Sequence, residues 1–423
     1  MIQYKLLAPS QFDYTVQLPA SKSISNRALV IHALSGQQVA GGQLQNLSDC
    51  DDTDVIVHAL AERPYEMDIK AAGTAMRFMT AYLSVQSGEE HVITGTERMK
   101  HRPIGILVDA LRSLGADISY VDRDGFPPLL IRGRALKGGY LEVPGNTSSQ
   151  YISALLLIGP MLTDGLQLRL TGDVISRPYI DLTLWTMREF GADAEWSDFE
   201  TISVSPRPYT SRTYIIESDW SAASYWYEMM ALSANADDVI RLEGLMDGSK
   251  QGDSSVRYLF SLLGVKTTFA STREGVPTLV TLRHSGRCVP RLDYDFSGSP
   301  DLAQTFVVCC ALLGVPFRFT GLSTLKIKET DRIEALKCEM RKLGYVIRDV
   351  NGCELYWEGE RCDADYAAGI DTYEDHRMAL AFAPAAVLLP GVVINNPQVV
   401  TKSYPHYWQH LTECGFQIKE EQG

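Results

Sequence analysis

A helical pattern that closes on a glycine and passes into a strand-like run recurs along this chain. It reads ALRSLGADISYV at Gly115, TMREFGADAEW at Gly191, YLFSLLGVKTTF at Gly264, EMRKLGYVIRDV at Gly344 and HLTECGFQIKE at Gly415. Successive glycines lie 76, 73, 80 and 71 residues apart. A glycine at such a place takes the left-handed conformation that ends a helix before the chain turns into a strand. One copy is common in any α/β protein, but a near-constant period implies an internal repeat. Extended backwards, the period puts a sixth, shorter copy at VIVHALAERPYEMDI, where Val55 to Leu60 read as helix. Six units of about 70 residues account for the chain, each with strands alternating with two helical segments. That pattern argues for helices packed on sheets, in two domains of three units.

Charge narrows the function. The net charge is −13, with no basic run interleaved with aromatics, so nucleic acid is not an expected partner. An acidic chain repels small anions in general, so any anion site must be a local cluster of cations. The eight cysteines include adjacent Cys309 and Cys310 but no C-x-x-C pair, and the eight histidines show no H-E-x-x-H spacing. Reduced thiols in a cytoplasm, no metal and no cofactor are the expectation. The start MIQYKLLAPSQ does not read as a signal peptide. The most apolar stretch, MALAFAPAAVLLPGVVI from Met378, is 17 residues long and broken by Pro384, Pro390 and Gly391. A membrane span needs about 20 residues, so a buried helix and a buried strand are expected instead.

Cations stand where helices begin. In PASKSISNRALVIHAL, Lys22 and Arg27 accompany Ser21, Ser23 and Ser25 at the head of an apolar helix. Helix starts expose N–H groups and the positive end of the macrodipole, so a cation there costs roughly 0.3–1 kcal/mol unless an anion arrives. The arrangement recurs. Gly73, Thr74 and Arg77 open AAGTAMRFMTAYL, and Ser148, Ser149 and Gln150 open TSSQYISALLLIG. Lys100 and Arg102 precede the helix ending at Gly115, and Lys328 and Arg332 bracket Glu329 and Asp331 in KIKETDRIEAL. His376 and Arg377 begin HRMALAF, and Lys402 precedes the last helix. Converging helix starts of this kind would hold several negative charges, as in a phosphorylated and carboxylated substrate pair. No Walker motif and no G-x-G-x-x-G is present, which leaves ATP and NAD as poor candidates. Glu329 and Asp301 stand out as carboxylates amid cations, suited to acid–base work once water is excluded.

In order along the chain, LPASKSISNRAL, AGTAMR, ERMKHRPIG, SSQYISALL, SRPYIDLTL, KETDRIEAL and DHRMAL resemble the motif series of the 5-enolpyruvylshikimate-3-phosphate (EPSP) synthase family, from Leu18 to Tyr407. The resemblance implies an α/β, two-domain enolpyruvyl-transferase fold of six βαβαββ-type repeats, the first shortened, with the active site in the interdomain cleft. Residues 19–217 would form an inserted domain, and 1–18 with 218–423 the second. It implies transfer of the enolpyruvyl group of phosphoenolpyruvate to the 5-hydroxyl of shikimate 3-phosphate by addition and elimination, on the route to chorismate and aromatic amino acids. Shikimate 3-phosphate would meet Lys22, Ser23, Arg27, Ser148, Ser149, Ser176, Tyr179, Asp301 and Lys328. Phosphoenolpyruvate, with which glyphosate competes in this family, would meet Lys22, Gly73, Arg102, Gln150, Arg332, Arg377 and Lys402. Asp301, Glu329 and Lys22 would be catalytic, and His376 and Arg77 would stand behind them. The family often has Asn where Ala71 and Thr324 stand here. A sister enzyme acting on a UDP-linked amino sugar has a cysteine in the loop matching TERMKHRPIG, and this loop has none. The expected partners are therefore two small molecules, with no membrane and a monomeric chain.

Overall fold

The computed structural model describes residues 2–37, 43–273 and 275–422. They divide into two compact units, one of residues 20–216 and one of 1–19 with 217–423. Each unit has its own apolar core.

The period found in the sequence is a repeat of topology. Four of the sheets are four-stranded and share one strand order. In the sheet built from 66–68, 90–94, 117–120 and 129–132, the first two strands are parallel, and the second and third each lie antiparallel to the fourth. The sheet of 139–144, 166–171, 194–196 and 201–204 has the same plan. So do 13–17, 239–245, 265–269 and 278–284, and 292–295, 317–320, 348–350 and 354–357. A right-handed helical crossover is the ordinary way to make the parallel pair. The helices Gly73–Ser84, Ser149–Ile158 and Ala303–Leu312 fill that place in their repeats.

The remaining two repeats are edited versions of the same plan. A bridge at Ile370 runs parallel to strand 392–395, which pairs antiparallel with Ile2–Leu7, itself paired with 417–422. The N-terminus thus supplies the fourth strand of the last repeat. The short repeat keeps only the parallel pair of 44–45 with 214–215. Its second helix, Asp51–Glu62, ends on Arg63 at φ +45°, in the place where the other repeats have glycine. Gly115, Gly191, Gly264, Gly344 and Gly415 have φ between +83° and +101°, as their role as helix stops requires. The apolar stretch from Met378 forms the buried helix His376–Phe382, a 3-10 segment and the strand Val392–Asn395. Among the described residues no helix is long and apolar enough to cross a membrane.

Several central helices have no polar face, so they can only be buried. In Ser149–Ile158, every residue from Tyr151 onward is buried, while Ser149 and Gln150 remain partly exposed. Lys22 and Ser23 are the partly exposed start of Lys22–Leu34, whose residues 24–32 are all buried. Burying each Leu or Ile is worth roughly 1.5–3 kcal/mol. The apolar run therefore anchors the helix and leaves its polar start accessible.

Candidate functional site

In the unit of residues 20–216, Arg27 is the hub. It is 4% exposed. Its Nε donates to Thr183 Oγ1 at 2.7 Å, Nη1 to the Ser23 carbonyl at 2.7 Å, and Nη2 to the Tyr179 carbonyl at 3.2 Å and Ser153 Oγ at 3.3 Å. Its guanidinium lies 5.5 Å from the Phe78 ring centre. All of these partners are neutral, and among the described residues no carboxylate pairs with Arg27. Burial lowers its pKa to about 10. Ser23 and Tyr179 are thus brought together through one side chain. Ser176, which starts the Arg177–Glu189 helix, is held at φ +55°. A non-glycine residue in that region stores strain, which is commonest at functional sites. The neighbouring Ile175 N–H donates to the Gly145 carbonyl at 3.2 Å, tying this loop to the one that leads to Ser148 and Ser149.

A second group forms around Gly73. Arg77 Nη1 donates back to the Gly73 carbonyl at 3.0 Å and Nη2 to the Pro103 carbonyl at 3.4 Å. Arg102 Nη1 lies 2.7 Å from where a Cβ on Gly73 would stand. Gln150 Nε2 donates to Thr74 Oγ1 at 3.1 Å, so a third helix start joins the group. Lys22 pairs with Asp52 at 3.0 Å. Lys100 is the cation that does not join: it pairs with Glu97 at 2.8 Å on the surface.

The unit of residues 1–19 and 217–423 holds the denser cluster. Arg332, 1% exposed, reaches three carboxylates. Nε and Nη2 take Asp375 at 2.7 and 3.1 Å, Nη1 takes Asp301 at 2.9 Å, and Nη2 takes Glu329 at 3.0 Å. Asp301 is also 3.4 Å from Lys328 and 3.1 Å from Arg377, and Glu329 is 3.0 Å from Lys402. Burial alone would raise the Asp301 carboxyl, but Arg377, Lys328 and Arg332 outweigh it and hold it well below the usual range. Burial would likewise lower Arg332, and Asp375, Glu329 and Asp301 instead carry it well above its ordinary value. Local sequence sets the positions. Asp331 caps Arg332–Lys342, accepting from the Ile333 and Glu334 N–H groups at 3.1 and 3.2 Å. Asp375 caps His376–Phe382, accepting from the Arg377 N–H at 3.0 Å.

A family model for EPSP synthase (3-phosphoshikimate 1-carboxyvinyltransferase) matches residues 61–411. A protein of Bacteroides fragilis named 3-phosphoshikimate 1-carboxyvinyltransferase is 59% identical over 419 residues, 99% of each chain. The chain belongs to the EPSP synthase family. A Photobacterium profundum protein of the same name is 34% identical over 96% of this chain and 97% of its own. The fold agrees. EPSP synthase from Acinetobacter baumannii superposes with a TM-score of 0.77 over the whole of both chains at 19% identity. The enolpyruvyl transferase NikO from Streptomyces tendae does so at 0.70 and 15%, covering 100% of this chain and 99% of its own.

The sequence motifs name cations of these clusters but not the partners that orient them. Asp375, which caps the His376–Phe382 helix and is the bidentate partner of Arg332 43 residues away, was not singled out in the sequence. Asp52, Ser153 and Thr183 gave no signal as partners of Lys22 and Arg27. His376 is buried beside Asp375, with Nδ1 3.8 Å from Oδ1. Thr324 has a buried Oγ1 with no hydrogen-bond partner among the described residues. Among the described residues no cluster of His, Cys, Asp or Glu is arranged to hold a metal ion.

Proposed function

We propose that this protein transfers the enolpyruvyl group of phosphoenolpyruvate to the 5-hydroxyl of shikimate 3-phosphate, releasing phosphate, as a cytoplasmic monomer on the route to chorismate. The observation that carries the reading is the pairing of two carboxylates, Asp301 and Glu329, with Lys328, Arg332, Arg377 and Lys402 in one cluster. A binder of anions needs the cations alone; the carboxylates are what proton transfer needs. The compartment is supported by cysteines that are free thiols.

In this reading Arg27, Ser23, Ser148, Ser149, Ser176, Tyr179 and Lys328 take shikimate 3-phosphate. Gly73, Arg102, Gln150, Arg332, Arg377 and Lys402 take phosphoenolpyruvate, and Lys22 touches both. Asp301, held ionised by three cations, is a weak base as it stands. Substrate anions that draw Arg377 and Lys328 toward themselves release it, and it becomes basic enough to accept the 5-hydroxyl proton. The hydroxyl oxygen then bonds to C2 of phosphoenolpyruvate while C3 gains a proton. In the second step C3 loses a proton, the C2–O bond to phosphate breaks, and phosphate leaves. Glu329, set between Lys402 and Arg332, handles the C3 proton with Lys22.

Phosphate release should require both substrates; release with a UDP-linked amino sugar in place of shikimate 3-phosphate would overturn the reading. Glu329→Gln should lower kcat by about 10²–10⁴ with little change in either KM. Near-normal turnover in that variant would remove Glu329 from the mechanism.

A further inference from the structure

Tyr151 begins the buried stretch of the Ser149–Ile158 helix, one residue past Gln150, and is 6% exposed. Its hydroxyl donates to the Pro103 carbonyl at 2.5 Å. The same carbonyl accepts from Arg77 Nη2 at 3.4 Å, and the Arg77 guanidinium lies 5.7 Å from the centre of the Tyr151 ring. A buried tyrosine ordinarily finds some partner for its hydroxyl. What gives this bond a further meaning is the carbonyl it takes, which belongs to the residue after Arg102.

Arg102 stands on a short loop between the helices Glu97–Lys100 and Gly105–Ser113. Its own N–H donates to the Met99 carbonyl at 3.0 Å, and two residues on the Ile104 N–H donates to the Gly125 carbonyl at 2.9 Å. Between these ties the chain passes through Pro103, whose ring fixes its own φ and restricts the residue before it. Pro103 has no N–H to anchor it, and its carbonyl is held by Tyr151 and Arg77 instead. The Arg102 side chain ends against Gly73, with Nη1 2.7 Å from where a Cβ there would stand. A long side chain turns a small shift of its backbone into a larger one at the charged end, and a binding group has to be held to within about 0.5 Å. We propose that the Tyr151 hydroxyl is a positioning group for Arg102: by fixing the Pro103 carbonyl it sets where the guanidinium stands against Gly73, and so how tightly phosphoenolpyruvate is held. The proposal rests on the functional reading above, in which Arg102 and Gly73 meet that substrate.

The test is steady-state kinetics of Tyr151→Phe, which keeps the ring in the core and removes only the hydroxyl. KM for phosphoenolpyruvate should rise about three- to tenfold, with KM for shikimate 3-phosphate and kcat nearly unchanged. In an Arg102→Ala background the same substitution should have almost no further effect on KM for phosphoenolpyruvate, because the group being positioned is gone. A hydroxyl that merely supports the core would move both KM values together, and its effect would add in full to that of Arg102→Ala. Either of those results, or an unmoved KM for phosphoenolpyruvate in Tyr151→Phe, would overturn the proposal while leaving the functional reading intact. Absence of any phosphoenolpyruvate-dependent turnover in the intact protein would overturn both.

Discussion

Arg27 and Arg332 are both buried arginines near the start of a helix, yet their surroundings are opposite. Arg27 is held by two carbonyls and two hydroxyls. Arg332 is held by three carboxylates. Among the described residues, one charge is buried without a counter-ion, and the other sits in a network of carboxylates. Keeping Arg27 charged under these conditions costs on the order of 3 kcal/mol, from the drop of its pKa from 12.5 to about 10. Such a cost is tolerated where an incoming anion recovers it on binding. In the Arg332 network an anion must instead compete with carboxylates, and that competition frees Asp301 and Glu329 for proton transfer. The first arrangement suits binding and the second suits chemistry.

The largest effect expected from this contrast is on folding. Arg332→Met leaves Asp301, Glu329 and Asp375 facing one another with a buried cation removed, which should cost about 3–5 kcal/mol. Arg27→Met leaves only neutral groups unpaired and removes an uncompensated charge, so its net change should stay within about 1 kcal/mol. Denaturant unfolding of the two variants measures this directly. Equal destabilisation would mean that the two arginines do the same structural job. Adding Asp375→Asn to Arg332→Met should recover part of the loss, since it removes one stranded charge.

Binding should show the reverse order. Arg27→Met should raise KM for shikimate 3-phosphate by roughly 30- to 150-fold, the worth of a charge-assisted hydrogen bond of about 2–3 kcal/mol. KM for phosphoenolpyruvate should move far less. If both constants rose together, Arg27 would be a general scaffold residue and not an anion contact.

Most of this contrast could not be read from the sequence. The cations were legible because a positive charge at a helix start runs against the macrodipole, and a local anomaly shows in local sequence. The helix-stop glycines were legible for the same reason: each meets a local demand for positive φ. Arg63 shows the limit, since it occupies that conformation without the residue that announces it. The partners were not legible. Thr183 and Ser153 lie 156 and 126 residues from Arg27, and Asp52 lies 30 from Lys22. Ordinary hydroxyls on ordinary helices carry no mark of the group they will meet. The strand Ile2–Leu7 was equally silent about joining the last repeat, because pairing at that range is decided by which sheet edge is left open.

The smallest effect expected is at Gly73, and it tests which unit-specific cation sets the fit for phosphoenolpyruvate. A methyl group there would stand 2.7 Å from Arg102 Nη1, 3.1 Å from Arg102 Cζ and 3.1 Å from Arg77 Nη1. Arg77 is buried and bonded to the Gly73 and Pro103 carbonyls, so it has little room to yield. Arg102 is only partly buried, and the end of its side chain can swing away. Moving it off its preferred rotamer costs roughly 0.5–1.5 kcal/mol, which corresponds to about a two- to tenfold rise in KM for phosphoenolpyruvate. Shikimate 3-phosphate, held by Arg27 and its neighbours, should bind as before. The mechanism makes a sharper demand on the double variant. If the methyl acts by displacing Arg102, then Gly73→Ala should have almost no further effect once Arg102→Ala is in place. A full additive loss in steady-state kinetics would mean that the methyl acts through Arg77 or the helix start itself, and that Arg102 is not the group it displaces.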